Sequence, residues 1–162
     1  MICAFTGHRP RGFDFGYDES APECQRLKVR IRGEIEKLVE SGVAAFISGM
    51  ALGADKWFAE AVIALKGKYP FLRLIAVIPC PDQADRWPEA DRKRYAGLLD
   101  ACDEKYIVSP RYTSYCMMAR NRFMVENSDM ILAVWNGRPG GGTAVTVALA
   151  ERLKKPVTII KV

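Results

Sequence analysis

Short apolar runs alternate with amphipathic segments along the whole chain. Ile2–Thr6, Ala44–Ser48, Leu72–Ile78, Lys105–Val108, Met130–Trp135 and Val157–Lys161 read as strands, several of them apolar on both faces. Runs of that kind suit a parallel sheet covered on each side. Between them, Pro22–Glu40, Ala54–Lys66, Glu89–Ala101, Ser114–Asn127 and Thr143–Leu153 read as helices. In the first of these, Leu27, Ile31, Ile35 and Leu38 form one apolar stripe. Start and stop signals support these limits: Asp55 in an opening turn, Ser114 as an N-cap and Thr143 after glycines, with Ser41-Gly42 and Lys154-Lys155-Pro156 at helix ends. Six strands joined by helical crossovers predict an α/β fold, a doubly wound, mostly parallel sheet of about six strands with helices on both faces. No linker, repeat or low-complexity tract divides the chain, so residues 1–162 are expected to form a single domain.

In such sheets a ligand sits beyond the carboxyl ends of the strands, where the strand order reverses. The chemically unusual residues do follow strands. Met130–Trp135 runs into Asn136-Gly137-Arg138-Pro139-Gly140-Gly141-Gly142-Thr143 and then into a helix. Glycines at that junction let backbone amides turn toward one point, and the helix start adds unpaired donors and a positive dipole end. After the first strand come Gly7, His8 and Arg9. His8, the only histidine, can donate to a phosphate or move a proton, and Arg9 can fork onto paired oxygens; an ordinary exposed turn is the competing reading.

After the second strand, Ser48-Gly49-Met50-Ala51-Leu52-Gly53-Ala54-Asp55 forms another strand–glycine–helix junction, a weak signal alone and a stronger one beside the first. Asp55 suits a helix start or a ribose hydroxyl better than a phosphate. Arg120, next to Asn121, interrupts the apolar stripe of Met117 and Met124, so it either reaches water or pairs with an anion. Gln83 and Trp87, after the third strand, could form one side of a base pocket, although Trp87 also fits a packing role. Cys80 has no base near it in sequence and is not proposed as a nucleophile.

Composition adds little to this picture. Lysine and arginine total 24 against 19 acidic residues, a formal charge of +5, which mildly favours an acidic ligand but which surface lysines alone would produce. Five scattered cysteines without a C-x-x-C pair argue against a disulfide framework and a structural zinc site, so no metal is expected. The first residues do not look like a signal peptide and no apolar run is long enough to span a bilayer, so a cytosolic (cytoplasmic) protein with reduced thiols is expected.

Thr6-Gly7-His8-Arg9-Pro10, the Ser48–Asp55 loop, Gln83…Trp87…Arg94-Tyr95, Arg120-Asn121 and Gly140-Gly141-Gly142-Thr143, in this order, resemble the YpsA-like family. That family belongs to the SLOG superfamily, with the DNA-processing protein DprA and the cytokinin-releasing LOG proteins. The resemblance spans nearly the whole chain. It implies a Rossmann-like fold that binds nucleotides, nucleotide sugars or NAD/ADP-ribose-like ligands.

LOG enzymes hydrolyse the N-glycosidic bond of a nucleoside monophosphate with an arginine and a glutamate that follows their glycine loop. Arg120-Asn121 resembles that arginine motif, but the glycine loop is one residue shorter here and Thr146 stands about where the glutamate would be. A threonine cannot stabilise the cationic charge that develops on the sugar. Asp55, Glu126 or Asp129 would have to substitute. The DprA resemblance rests mainly on Ser48–Asp55, and the chain lacks the added domains and dense basic surface of a DNA-loading protein.

The reading is therefore a cytosolic protein that binds, and senses or processes, a nucleotide or nucleotide-derived ligand such as ADP-ribose/NAD or a nucleoside phosphate. LOG-like N-glycoside hydrolysis and DprA-like single-stranded DNA binding stand as alternatives, the second disfavoured. No catalytic residue and no cofactor is firmly implied, and a homodimer through exposed helices is left open.

Overall fold

The computed structural model describes residues 1–162. Its strands are β1 (Ile2–Gly7), β2 (Ala45–Ser48), β3 (Arg73–Ile78), β4 (Glu104–Ile107), β5 (Met130–Trp135) and β6 (Val157–Lys161). The helices are α1 (Pro22–Glu40), α2 (Ala54–Leu65), α3 (Glu89–Asp100), α4 (Cys116–Glu126) and α5 (Gly141–Arg152). All strand pairs are parallel, in the order β4-β3-β2-β1-β5-β6. The chain thus winds outward from β1 in one direction through β4, then returns to the other side of β1. This is a Rossmann-like α/β sheet, and its order reverses between β1 and β5.

Side chains alternate across the sheet. Cys3, Phe5, Phe46, Leu74 and Leu132 pack with α1 and α2 in the larger core, where Phe5 stacks on Phe58 at 4.2 Å. Ala4, Ile47, Val77 and Ile131 face the smaller core, with Met124 and Ala150 from α4 and α5. The central strands are apolar on both faces because both are covered. At the edge, β4 exposes Lys105, Tyr106 and Ile107, and this short strand with a charge discourages further pairing. No helix is long and apolar enough to cross a membrane.

Two helix starts differ from the sequence expectation. Ser114 is not an N-cap: α4 begins at Cys116, and the Oγ1 of Thr113, not Ser114, accepts the Tyr115 N–H at 3.3 Å. The competing side-chain turn wins because Thr113 is two residues before the amide it satisfies. At the last helix, α5 begins at Gly141, so Thr143 lies inside its first turn. The strap of residues 8–21 between β1 and α1 carries one short 3-10 turn, Pro10–Gly12. Phe13 and Phe15 stack on each other and pack at a tilt against Trp57 of α2.

Glu19 pins the far end of this strap. Its carboxylate accepts from Lys28, from the Trp57 indole and from Arg94, and it pairs with Lys56. Burial opposes ionisation, yet bonds from Arg94 and Lys28 hold the Glu19 carboxyl well below the usual carboxylate range.

Candidate functional site

Where β1 and β5 part, their following loops enclose a crevice of about 400 Å³. One wall is Gly7, His8 and Arg9; the other is Gly140, Gly141, Gly142 and Thr143; Asp55, Arg120 and Asn121 complete it. The two walls are laced together. The His8 N–H donates to Val134 O at 3.3 Å, and His8 Nε2 accepts the Asn136 N–H at 3.1 Å. An imidazole that accepts at Nε2 is neutral, and burial, against a smaller effect of Asn136, lowers the His8 pKa. In this state His8 props the glycine loop rather than carrying charge.

At the start of α5, Gly140 and Gly141 have φ of +92° and +80°, and no side chain caps the helix. The amides of Gly140, Gly141, Gly142 and Thr143 donate to no group of the protein. A run of free donors at a helix N-terminus is an anion-binding arrangement. Thr146 Oγ1 turns away from such a role by donating to Gly142 O at 2.8 Å, which fastens the first turn.

Arg120 lies beneath this wall and is 5% exposed. Its Nη1 donates to Gly49 O at 2.6 Å and its Nε to Asn121 Oδ1 at 2.7 Å, leaving Nη2 without a protein partner. Burial draws its pKa down while Asp55 opposes the shift; a guanidinium stays protonated at neutral pH regardless. Asp55, buried at the start of α2, accepts the Ala51 N–H at 3.3 Å. Burial raises its pKa to about 6, against the pull of Arg120, the Ala51 amide and Arg9. Two arginines face one carboxylate across the crevice, so it favours an anion.

The Asp55 pKa sets a pH dependence. A folded value of about 6, above the ordinary aspartate range, means folding favours the protonated acid, so stability from this group declines as pH rises from roughly 4 to 6. Anion affinity follows the same sense, because protonation removes the only carboxylate on the lining. Sulfate, fully ionised throughout, is expected to bind about 3- to 10-fold more tightly at pH 5.5 than at pH 7.5, on the order of 1 kcal/mol for one nearby charge. Asp55→Asn should flatten that difference in a calorimetric titration. An unchanged slope in the variant would assign the titration to another group.

The β2 loop serves a different purpose from the one its glycines suggest. Ser48 is fully buried and its Oγ accepts the Met50 N–H; neither Ser48, Gly49 nor Gly53 lines the crevice. A Cβ on Gly49 would lie 2.2 Å from Arg120 Nη1, and one on Gly53 would lie 2.6 Å from His8 O. The Ala54 N–H, the amide that would open α2 to an anion, already donates to His8 O at 3.1 Å. These glycines admit Arg120 and the β1 loop, so they shape the site from behind.

Gln83 and Trp87 are not brought to the crevice. The Gln83 amide donates to Gly49 O at 3.3 Å without lining the crevice, and Trp87 packs edge-on against Tyr95 at 5.1 Å. The void beside Trp87 is about 10 Å³, too small for a base. Of the other acids weighed as stand-ins, Glu126 pairs with Arg122 on the surface, and Asp129 accepts the Ile2 N–H at the opposite end of the sheet. Asp55 alone of the three lies on the crevice. No group of three or more histidine, cysteine or acidic side chains is placed to hold a metal ion.

Several contributors to the crevice are not read from the sequence as site residues. Asn136 acts through its main-chain amide, which no side-chain pattern reveals. Gly12 of the strap, Ala51 of the β2 loop and Met117 of α4 also line the crevice. Ala51 lies within the Ser48–Asp55 junction and Met117 on the stripe that Arg120 interrupts, whereas Gly12 belongs to no pattern in the sequence.

The YspA SLOG family matches residues 3–161. A UPF0398 protein of Bacillus pumilus (strain SAFR-032) is 31% identical over 153 residues, 93% of this chain and 81% of the relative. UPF0398 proteins of Bacillus thuringiensis (strain Al Hakam) and Bacillus cereus (strain AH187) are each 29% identical over 154 residues, 93% of this chain and 83% of theirs.

Proposed function

The chain belongs to the YspA SLOG family, and from that premise we propose that it binds a nucleotide or nucleotide-derived ligand by its phosphate, in the crevice between β1 and β5. Family membership points to nucleotide-related binding or processing; the placement of the phosphate is our reading. One observation carries it: the free amides of Gly140–Thr143 share a single crevice with Arg9 and the unpaired Nη2 of buried Arg120, where the strand order reverses. In this reading the amides cradle the phosphate, Arg120 and Arg9 neutralise it, and Asp55 meets a ribose hydroxyl.

Calorimetry with AMP, NAD and ADP-ribose tests the proposal. At least one should bind, and Gly141→Val should weaken it by about tenfold or more, because valine does not tolerate the +80° φ that shapes the cradle. That substitution meets open space, so the fold should survive it. Absence of heat with all three, together with indifference to Gly141→Val, would remove the reading.

A second reading, N-glycoside hydrolysis, is favoured by one observation: Asp55, with its pKa raised to about 6, is a carboxyl on the crevice able to exchange a proton near neutrality. Chromatography for free base released from AMP, abolished in Asp55→Asn, would support it. Retention of intact nucleotide would leave binding alone.

A further inference from the structure

Outside the crevice a wider groove, about 770 Å³, opens between the strap, α1 and the loop after β5. Gly12 lines both spaces. Asn136, on the groove, donates its amide to His8, on the crevice, so the two share a wall. The charged side chains of the groove are Arg11, Arg26, Arg30 and Arg138 against Asp14 and Glu23. Two of these arginines are engaged: Arg26 pairs with Glu23 at 3.4 Å, and Arg30 Nη1 donates to Lys161 O at 2.9 Å.

Arg11 and Arg138 are different. Their guanidinium groups meet no partner in the protein, and they stand on the two loops that form the walls of the crevice, one after β1 and one after β5. The groove is also preformed. Phe13 and Phe15 lie parallel, 4.9 Å apart, against Trp57, and the Glu19 cluster anchors the far end of the strap.

A lone phosphate needs none of this. The crevice holds a phosphate and a sugar comfortably, yet its lining has no flat aromatic wall for more of a nucleotide, and Gln83 and Trp87 supply none. The groove adds about 770 Å³ to the roughly 400 Å³ of the crevice. Free arginines beside a first phosphate site suit a second phosphate of the same ligand.

We propose that the groove is a second phosphate subsite, with Arg11 and Arg138 gripping a second phosphate of a small nucleotide whose first phosphate rests on Gly140–Thr143. The ligand class is therefore a compact dinucleotide, two phosphate-bearing halves long. The proposal rests on the crevice being the first phosphate site.

Calorimetry at about 0.15 M salt, where bare charges are screened beyond roughly 8 Å, compares AMP with 5′-phosphorylated diadenylate. The wild type is expected to bind diadenylate at least about tenfold more tightly than AMP, since a second gripped phosphate adds a charge-assisted contact. The double variant Arg11→Gln, Arg138→Gln alters two exposed side chains and should fold normally. It should lose about tenfold or more for diadenylate and less than threefold for AMP. Equal wild-type affinities, or equal losses for both probes, would overturn the second subsite while leaving the first. Tighter binding of a twenty-nucleotide single strand than of diadenylate, falling steeply with salt, would assign the groove to nucleic acid instead. No binding of either mononucleotide or dinucleotide would end both readings together.

Discussion

Gly53→Ala should lower the melting temperature by roughly 4–24 °C. Gly53 has a φ of +88°, and an added Cβ would lie 2.6 Å from His8 O, 3.0 Å from Arg9 Cα and 3.1 Å from the Arg9 carbonyl carbon. All three are main-chain atoms, so no side chain can swing aside. Backbone strain of about 1–3 kcal/mol adds to overpacking of similar size. At about 2–4 °C per kcal/mol for a chain of this length, the shift follows. Gly16→Ala is the control: its φ is +55°, but its Cβ would meet nothing within 4 Å, so only strain of about 1 kcal/mol is expected. A thermal scan in which Gly53→Ala falls no further than Gly16→Ala would mean that the β2 loop is not held against His8 as described.

The largest effect on binding is expected at Arg120. Arg120→Met keeps most of the volume but removes the only buried cation on the crevice, together with its bonds to Gly49 O and Asn121 Oδ1. Losing a buried, hydrogen-bonded charge opposite an anion costs about 2–4 kcal/mol of affinity, roughly 30- to 1,000-fold. Gly49→Ala supplies the matching experiment without touching the charge. Its Cβ would lie 2.2 Å from Nη1 and 2.6 Å from Cζ, so the guanidinium must leave its seat. A comparable loss of nucleotide affinity in both variants would show that position, and not charge alone, makes the site. Full affinity in Arg120→Met would sink the proposed phosphate site.

Removing Arg120 also changes its neighbour. Asp55 loses the cation that works hardest against its burial, so its pKa should climb above about 6 and the acid should stay protonated at neutrality. That relief offsets part of the stability lost with the arginine, because no uncompensated carboxylate charge is left buried.

Much of the architecture was legible in the chain. Strand β5 and β6 limits agree residue for residue with the apolar runs, as does α1, and every other end falls within two residues. Continuous apolar runs flanked by glycine can be little else than covered parallel strands. The helix starts at Ser114 and Thr143 were misplaced because side-chain turns and glycine backbones compete locally with capping signals. At the site, the residues after β1 and β5 and Arg120 were legible because each breaks an apolar pattern at a strand end or on a helix stripe.

The two glycine junctions look alike as strings, yet they differ in use. After β5 the helix amides are left free; after β2 the first amide is taken by His8 O and the glycine surfaces are covered by Arg120 and the β1 loop. That difference is decided by what packs against a glycine, and the packing partner lies 71 residues from Gly49 along the chain. Gln83 and Trp87 follow a strand as the site residues do, but β3 stands two strands from the reversal and its loop packs under the β2 loop instead. The sequence alone determined a covered parallel sheet and the loops that carry polar groups, because periodicity and glycine placement are local properties. Only the tertiary structure decided which loops share a crevice, which arginines stay unpaired and where the groove opens, because strand order and the packing of distant segments are not written in any local pattern.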